Sequence, residues 1–279
     1  PWIMFSTIAV VGAGTMGQGI AQLLVEAGLT VRLYDRSPEI LSDAVDAVTR
    51  RLRRRAEASA PPGADAGALL AATSMSQLAD ADLAIETVPE RYDLKRAVFA
   101  ELDRCLEPMA VLASNTSGLD IDALARSTAR PHRVVGLHFF NPPPLMPLVE
   151  VVPAATTDQD VLDGVCAFAE SLGKTPITVP NRPGFIVNRL LFAMIAEAVR
   201  IVDEGGTSAR DVDRALCLGA SHPIGPLALA DFIGLDVAPD ILESLTSGLG
   251  RRYSPSSGLR DLVAQGHLGR KTGRGFFSY

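Results

Sequence analysis

The run Thr7-Ile-Ala-Val-Val11, followed by Gly12-Ala13-Gly14-Thr15-Met16-Gly17, decides the fold of this 279-residue chain. The residues before the glycines form an unbroken apolar, largely β-branched run, the pattern of a strand buried on both faces of a parallel sheet. Beyond Gly17, apolar residues recur at helical spacing (Ile20, Leu23, Leu24, Ala27) as far as Gly28, a residue suited to a left-handed helix stop. Thr30 to Tyr34 reads as a second strand that ends at Asp35, 18 residues after Gly17. A glycine-rich turn alone says little, but strand, glycine turn, helix, strand and acid in succession specify a dinucleotide-binding unit. Gly12 permits the tight turn, Gly14 lets the backbone approach a pyrophosphate, and Gly17 lets helix pack on strand. Thr15 and Met16 open the helix whose N-terminal N–H groups face the phosphates. Asp35 is placed to accept from the adenosine ribose hydroxyls, and its carboxylate would repel a 2′-phosphate. NAD is therefore favoured over NADP, although Arg36 follows directly. The competing reading is a glycine turn without a ligand.

Composition narrows the class. Hydrophobic residues make up 47% and charged residues 21%, near the globular average, which excludes disordered and fibrous chains. A length of 279 residues predicts one large domain or two moderate ones. The net charge of −6 argues against a nucleic-acid partner. Of 26 basic residues only Lys95, Lys174 and Lys271 are lysine, a codon-composition bias that singles out those three. Cys105, Cys166 and Cys217 form no CxxC pair and no metal-ligand spacing with histidine, so they read as reduced, mostly buried thiols and no metal is expected. No leader pattern opens the chain, which predicts a cytoplasmic protein. The first methionine is Met4, so Pro1 to Ile3 read as a remnant of cloning. The long apolar segment from Phe185 to Val202 contains Asn188, Arg189, Glu197 and Arg200, and so reads as a buried helix and not a membrane span.

Between Pro38 and Leu78 the pattern is helical, with Arg50-Arg-Leu-Arg-Arg-Arg55 inside it and a Pro/Gly/Ala stretch from Pro61 to Gly67. Five arginines in six residues could bind the phosphates of an acyl carrier, Arg51 and Arg54 being candidates, or form a solvated helix face. Leu83 to Val88 is a further strand, and Glu86, Glu90 and Lys95 lie at its carboxyl end, where open α/β sheets hold ligands. A helix from Asp93 to Leu106 and a strand from Val111 to Ser114 follow. Asn115-Thr116-Ser117 lies at the exit of that strand. Ser117 could hold a substrate oxygen or cap a helix from Leu119 to Arg126.

Arg133 to Phe140 and Leu148 to Val152 read as two strands joined by the rigid turn Asn141-Pro-Pro-Pro-Leu-Met-Pro147. With the hairpin centred on Pro144, His138 and Glu150 face each other on one side, with Cβ atoms about 5 Å apart. A carboxylate on one imidazole nitrogen fixes the tautomer and assigns proton exchange to the other, so His138 is the candidate general base. His132, His222 and His267 sit in loops beside proline or glycine. From Pro183 onward the pattern is helical throughout. A long helix runs to Val202 with Asn188 in its first turns, and Ser208 with Asp211 has capping-box spacing. Two further helices begin after Pro226 and near Ser256, and the chain closes on Gly269-Arg-Lys271-Thr-Gly273-Arg-Gly275-Phe-Phe-Ser-Tyr279. These features predict an α/β fold, a Rossmann-type doubly wound sheet over 1–182, followed by a smaller all-helical substrate and dimerisation domain over 183–279. A homodimer through the second domain is expected.

Nearly the whole chain resembles the L-3-hydroxyacyl-CoA dehydrogenase family. The stretches that carry the resemblance are VVGAGTMGQGIA, ASNTSGLDI, GLHFFNPPPLMPLVEVV, PGFIVNRLL, GPLALADFIGLD and GRKTGRGFF. It implies NAD as cofactor, His138 as the base, Glu150 as its orienting partner, and Ser117 and Asn188 as the groups holding the substrate oxygen. It also implies that Asp35, Glu90, Lys95, Asn141 and Lys271 surround NAD. The implied reaction interconverts a 3-hydroxyacyl thioester, of short chain, and its 3-ketoacyl form. The sequence departs from the family where a serine and a lysine usually handle coenzyme A, positions that fall on Arg51 and Ala58. Pro147 and Gly118 likewise replace a common lysine and a common second serine. The chemistry is therefore better supported than the carrier. A thioester on an acyl carrier protein, as in a polyketide extender-unit pathway, or a free hydroxy acid are the enzyme alternatives; a catalytically silent NAD-binding protein is the other.

Overall fold

A computed structural model describes residues 5–58 and 67–279. Residues 1–4 and most of the stretch from Pro61 to Gly67 lie outside them. The chain divides into two compact units, Pro1–Asn181 and Arg182–Tyr279.

The first unit is built on one eight-stranded sheet of order β3-β2-β1-β4-β5-β6-β7-β8. Its strands are β1 (Thr7–Val11), β2 (Thr30–Tyr34), β3 (Ala68–Ala72), β4 (Leu83–Glu86), β5 (Val111–Ser114), β6 (Val134–Phe139), β7 (Leu148–Pro153) and β8 (Thr175–Thr178). Neighbours pair in parallel except β6 with β7, so β7 and β8 run opposite to the others. The chain order reverses at β1, between β2 and β4, which places a ligand crevice at the carboxyl ends of β1 and β4. Strands β4, β5 and β6 are buried along their whole length, as strands covered on both faces must be. Helices α1 (Thr15–Glu26), α2 (Pro38–Ala58), α3 (Tyr92–Cys105), α4 (Ile121–Ala125) and α5 (Gln159–Ser171) complete the unit.

Several expectations change here. The segment Ala68-Leu-Leu-Ala-Ala72, read as a continuation of helix, is strand β3, because it pairs with β2 from Thr30↔Ala68 to Tyr34↔Ala72. Ser117 is not a helix cap. Helix α4 starts later, at Ile121, and Asp120 caps it by accepting from the Asp122 N–H at 2.9 Å. Helix α5 and the short edge strand β8 lie in a stretch whose sequence pattern points to no element. The three cysteines are free thiols and partly buried, in keeping with their reading as reduced, mostly buried residues.

In the second unit α6 (Val187–Asp203) forms a core with α7 (Ala209–Gly219), α8 (Pro226–Ile233), α9 (Val237–Leu249) and α10 (Ser257–Ala264). Ser208 caps α7, its Oγ accepting from the Asp211 N–H and donating to the Asp211 carboxylate. The closing glycine pattern has a packing origin. Asp231, buried, accepts from the N–H groups of Phe276 and Phe277 at 2.9 Å and from the Tyr279 hydroxyl at 3.0 Å. A Cβ on Gly275 would stand 1.9 Å from Asp231 Oδ1. The tail therefore folds onto Asp231 only with glycine at 275. Among the described residues no helix is long and apolar enough to cross a membrane.

Candidate active site

The glycine turn is fastened by hydrogen bonds to Tyr34 on one side and Thr87 on the other. Gly12 donates to the Tyr34 carbonyl at 2.8 Å, and Thr87, just after β4, donates through N to Val11 O at 2.7 Å and through Oγ1 to Gly12 O at 2.8 Å. Gly12 has φ +107°, and a Cβ there would stand 2.8 Å from Thr87 Oγ1, so the turn demands glycine on both counts. Gly17 is demanded by packing, since its Cβ would stand 1.8 Å from Gly12 O. Gly14 differs: a Cβ on it would meet no protein atom within 4 Å. What a side chain would obstruct there is the cleft. Helix α1 begins with no side-chain cap and no acidic residue in its first turn, so its leading N–H groups remain available to an anion.

Above the turn lies a cleft of about 560 Å³ lined by Gly12, Gly14, Thr15, Met16, Asp35 and Arg36, with further walls from α3 and the β4 exit. Asp35 is held in one orientation, Oδ2 accepting from the Ala13 N–H at 2.9 Å and Oδ1 from the Ser37 N–H at 3.0 Å. Each oxygen retains a second lone pair for a ribose hydroxyl. The Tyr34 phenol is pushed up by burial and by the charges of Glu101 and Asp35, a second sign of negative potential at this end. A dinucleotide with a free ribose 2′-hydroxyl suits that field, and one with a 2′-phosphate does not. The cradle at Gly14, the uncapped helix and the fixed carboxylate together fit NAD. Thr87, Leu94, Val98 and Glu101 also line the cleft and carry no signal in the glycine-turn pattern. The α3 residues could have been found by their spacing of three or four.

At the same edge of the sheet β6 and β7 pair with His138 opposite Glu150. His138 Nδ1 and Glu150 Oε2 are 2.8 Å apart, and both side chains are buried. The imidazole leans on the Phe140 ring, 4.5 Å between centroids. Asn115, also buried, ties the end of β5 to this hairpin, its Oδ1 accepting from the Phe139 N–H at 2.8 Å. Ser117 follows Asn115 by two residues in the chain.

A buried polar network underlies Ser117. Glu86 Oε2 accepts from Ser114 Oγ at 2.7 Å, Glu86 Oε1 accepts from the Val88 N–H at 2.7 Å, and Ser114 Oγ accepts from the Thr116 N–H at 3.2 Å. Glu90 Oε1 accepts from the Thr116 hydroxyl and from the Ser117 N–H at 2.9 Å. Lys95, expected among the cofactor contacts, is 1% exposed. Its ammonium is committed to Glu86 Oε1 at 2.8 Å, Val88 O at 3.0 Å and Glu90 Oε2 at 3.3 Å. It donates to Glu86 and to the Val88 carbonyl and pairs ionically with Glu90, so it tethers two carboxylates. Burial pushes the Glu86 carboxyl up, against the pull of Lys95.

The remaining predicted residues are more dispersed. Asn141 is exposed at the start of the hairpin turn. Arg51 and Arg54 lie exposed on α2, Arg51 donating to Gln18 Oε1 at 3.1 Å. Asn188 and Lys271 belong to the second unit, where Asn188 opens α6 and Lys271 pairs with Asp236.

The model of the 3-hydroxyacyl-CoA dehydrogenase NAD binding domain matches residues 7–182, and that of the 3-hydroxyacyl-CoA dehydrogenase C-terminal domain matches residues 184–279. The chain belongs to the 3-hydroxyacyl-CoA dehydrogenase family. It is 44% identical over 277 residues to the probable 3-hydroxybutyryl-CoA dehydrogenase of Bacillus subtilis, covering 98% of this chain and 96% of that one. Over 289 residues it is 39% identical to the mitochondrial hydroxyacyl-coenzyme A dehydrogenase of Sus scrofa, covering 99% and 92%. The solved (S)-3-hydroxybutyryl-CoA dehydrogenase of Ralstonia eutropha is similar at 41% identity and a TM-score of 0.93, with 99% of each chain covered. The protein is thus an NAD-dependent oxidoreductase of this family.

Proposed function

We propose that the protein interconverts a short-chain 3-hydroxyacyl-CoA and its 3-ketoacyl form, with His138 as general base and Glu150 as its orienting partner. The observation that carries this reading is the 2.8 Å contact between His138 Nδ1 and Glu150 Oε2 at the carboxyl end of β6. NAD, when bound, supplies the acceptor for the hydride that leaves C3. His138 Nε2 takes the proton of the 3-hydroxyl as the carbonyl forms, and returns it in the reverse direction. Glu150 accepts from Nδ1–H, which fixes the tautomer and offsets the charge that the ring gains. Ser117 holds the substrate oxygen. Pairing of two copies through the second unit is supported by Leu190, Leu218 and Phe232, large apolar side chains left exposed there.

Coenzyme A as the carrier is supported by the relatives' names and by the exposed arginines of α2. The same acyl group offered as CoA ester, carrier-protein ester and free acid is expected to turn over fastest as the CoA ester; absence of CoA-ester turnover would overturn the reading. Replacing Arg51 and Arg54 together by alanine is expected to raise KM for the CoA ester about two- to tenfold with kcat unchanged, since exposed charge contacts bind ground and transition states alike. An unaltered KM in initial-rate assays would return the arginines to a solvated helix face.

A further inference from the structure

At the carboxyl ends of β4 and β5, two carboxylates share one cation. Glu86 is completely buried, Glu90 has a side chain 44% exposed, and Lys95 Nζ lies within 3.3 Å of both. Among the described residues no other cation comes within ion-pair distance of either carboxylate. One ammonium against two carboxylates leaves one negative charge. Lys95 and Glu86 neutralise each other in the interior, so the uncompensated charge is borne by the half-exposed Glu90.

That charge stands beside the group proposed to hold the substrate, because Glu90 Oε1 accepts from the Ser117 N–H at 2.9 Å. The inference rests on the reading that His138 and Ser117 address the reacting carbon. Hydride transfer then requires the nicotinamide ring to approach that carbon, and hence Glu90. The ring is cationic when oxidised and neutral when reduced, so a fixed charge nearby acts on the two forms unequally. We propose that the Glu86–Lys95–Glu90 cluster biases the cofactor site toward the oxidised form of NAD. By linkage, once His138 has released the proton it gains, the same charge moves the equilibrium on the enzyme toward 3-hydroxyacyl product and oxidised cofactor.

The test is the ratio of two dissociation constants, measured by calorimetry on the whole chain without acyl substrate. Glu90→Gln keeps an oxygen acceptor for Ser117 and removes the charge. It is expected to raise the Kd for NAD⁺ relative to that for NADH by about fivefold at low salt, less as salt screens it. Glu90→Asp keeps the charge and is expected to retain a ratio near that of the parent chain. Ser114→Ala and Thr116→Val disturb the hydrogen bonds without altering charge, and should move both constants by one common factor. Equal weakening of both forms in Glu90→Gln would overturn the proposal and leave Glu90 a scaffold residue. Constants that do not move at all would overturn it by removing the ring from Glu90. If His138→Ala is then inactive, the base assignment stands and only the charge bias falls. If His138→Ala is active, the site reading falls as well.

Discussion

Replacement of His138 by alanine lowers kcat about 10²- to 10⁴-fold, the range spanned by positioned acid–base groups, and leaves the Kd for NADH nearly unchanged. The separation follows from where the residues lie. His138 belongs to the β6–β7 hairpin, whereas the glycine turn and Asp35 belong to β1, α1 and β2, at the other side of the switch point. The residues that fit the cofactor's adenosine half are not touched by the substitution. The imidazole is buried against Phe140 and Glu150, so its truncation also leaves Glu150 without its Nδ1–H donor. His138→Gln, of similar volume, separates the two effects: it preserves packing and supplies no base. Equal losses of kcat in the two variants point to the proton. Near-parent kcat in either, measured in both directions of the reaction, would remove the base assignment.

How much of this was readable from the chain depends on the range of the interaction. The glycine turn and Asp35 are local signals, since a Cβ at Gly12 or Gly17 collides with residues next to it in the turn or with Thr87. The pairing of His138 with Glu150 was also readable, because a hairpin with equal arms leaves one register. Strand β3 was not. Ala68-Leu-Leu-Ala-Ala72 has helix-forming composition and takes its strand conformation from pairing with β2 at the sheet edge. Strand β8 escaped for a similar reason, as Thr-Pro-Ile-Thr is too short to show a period and its proline is tolerated only at an edge. In the network beneath Ser117, Glu86 reaches partners 9 and 28 residues away, and nothing in the spacing of Glu86, Ser114 and Lys95 announces it.

The three lysines are instructive in the same way. In a chain that otherwise uses arginine for its cations, two of the three are buried and ligated at one nitrogen. Lys95 meets two carboxylates and a carbonyl. Lys174 donates to the carbonyls of Pro143, Pro144 and Met146 at 2.8, 3.4 and 3.0 Å, clasping the turn between His138 and Glu150. Burial pulls the Lys174 ammonium below its ordinary value. Three acceptors converging on a single atom suit an ammonium; a planar guanidinium spreads its donors over three nitrogens. The lysines thus mark coordination geometry, and the composition flagged them without revealing which kind.

Lys95→Met is expected to destabilise the first unit by about 3–5 kcal/mol at neutral pH, the cost of leaving one member of a buried pair without its partner. Methionine fills nearly the same volume, so little of the loss comes from a cavity. What remains is Glu86, without solvent and with only Ser114 Oγ and the Val88 N–H as partners. Burial already pushes its carboxyl up, and Lys95 is the largest influence in the other direction. The variant therefore raises the folded-state value further above that of the unfolded chain. Below the unfolded value the carboxyl is protonated in both states and the variant bears no charge penalty. As pH rises between the two values the unfolded chain sheds its proton first, and stability falls by up to about 1.4 kcal/mol per pH unit. The deficit relative to the parent chain should accordingly be small near pH 4.5 and largest above neutrality, as read by urea unfolding at both pH values. A deficit that is the same at both would assign the loss to packing and remove the buried charge as its cause. Lys95→Arg tests the geometry itself: the charge is kept, yet one guanidinium nitrogen cannot serve Glu86, Val88 and Glu90 together, so part of the loss should persist at every pH.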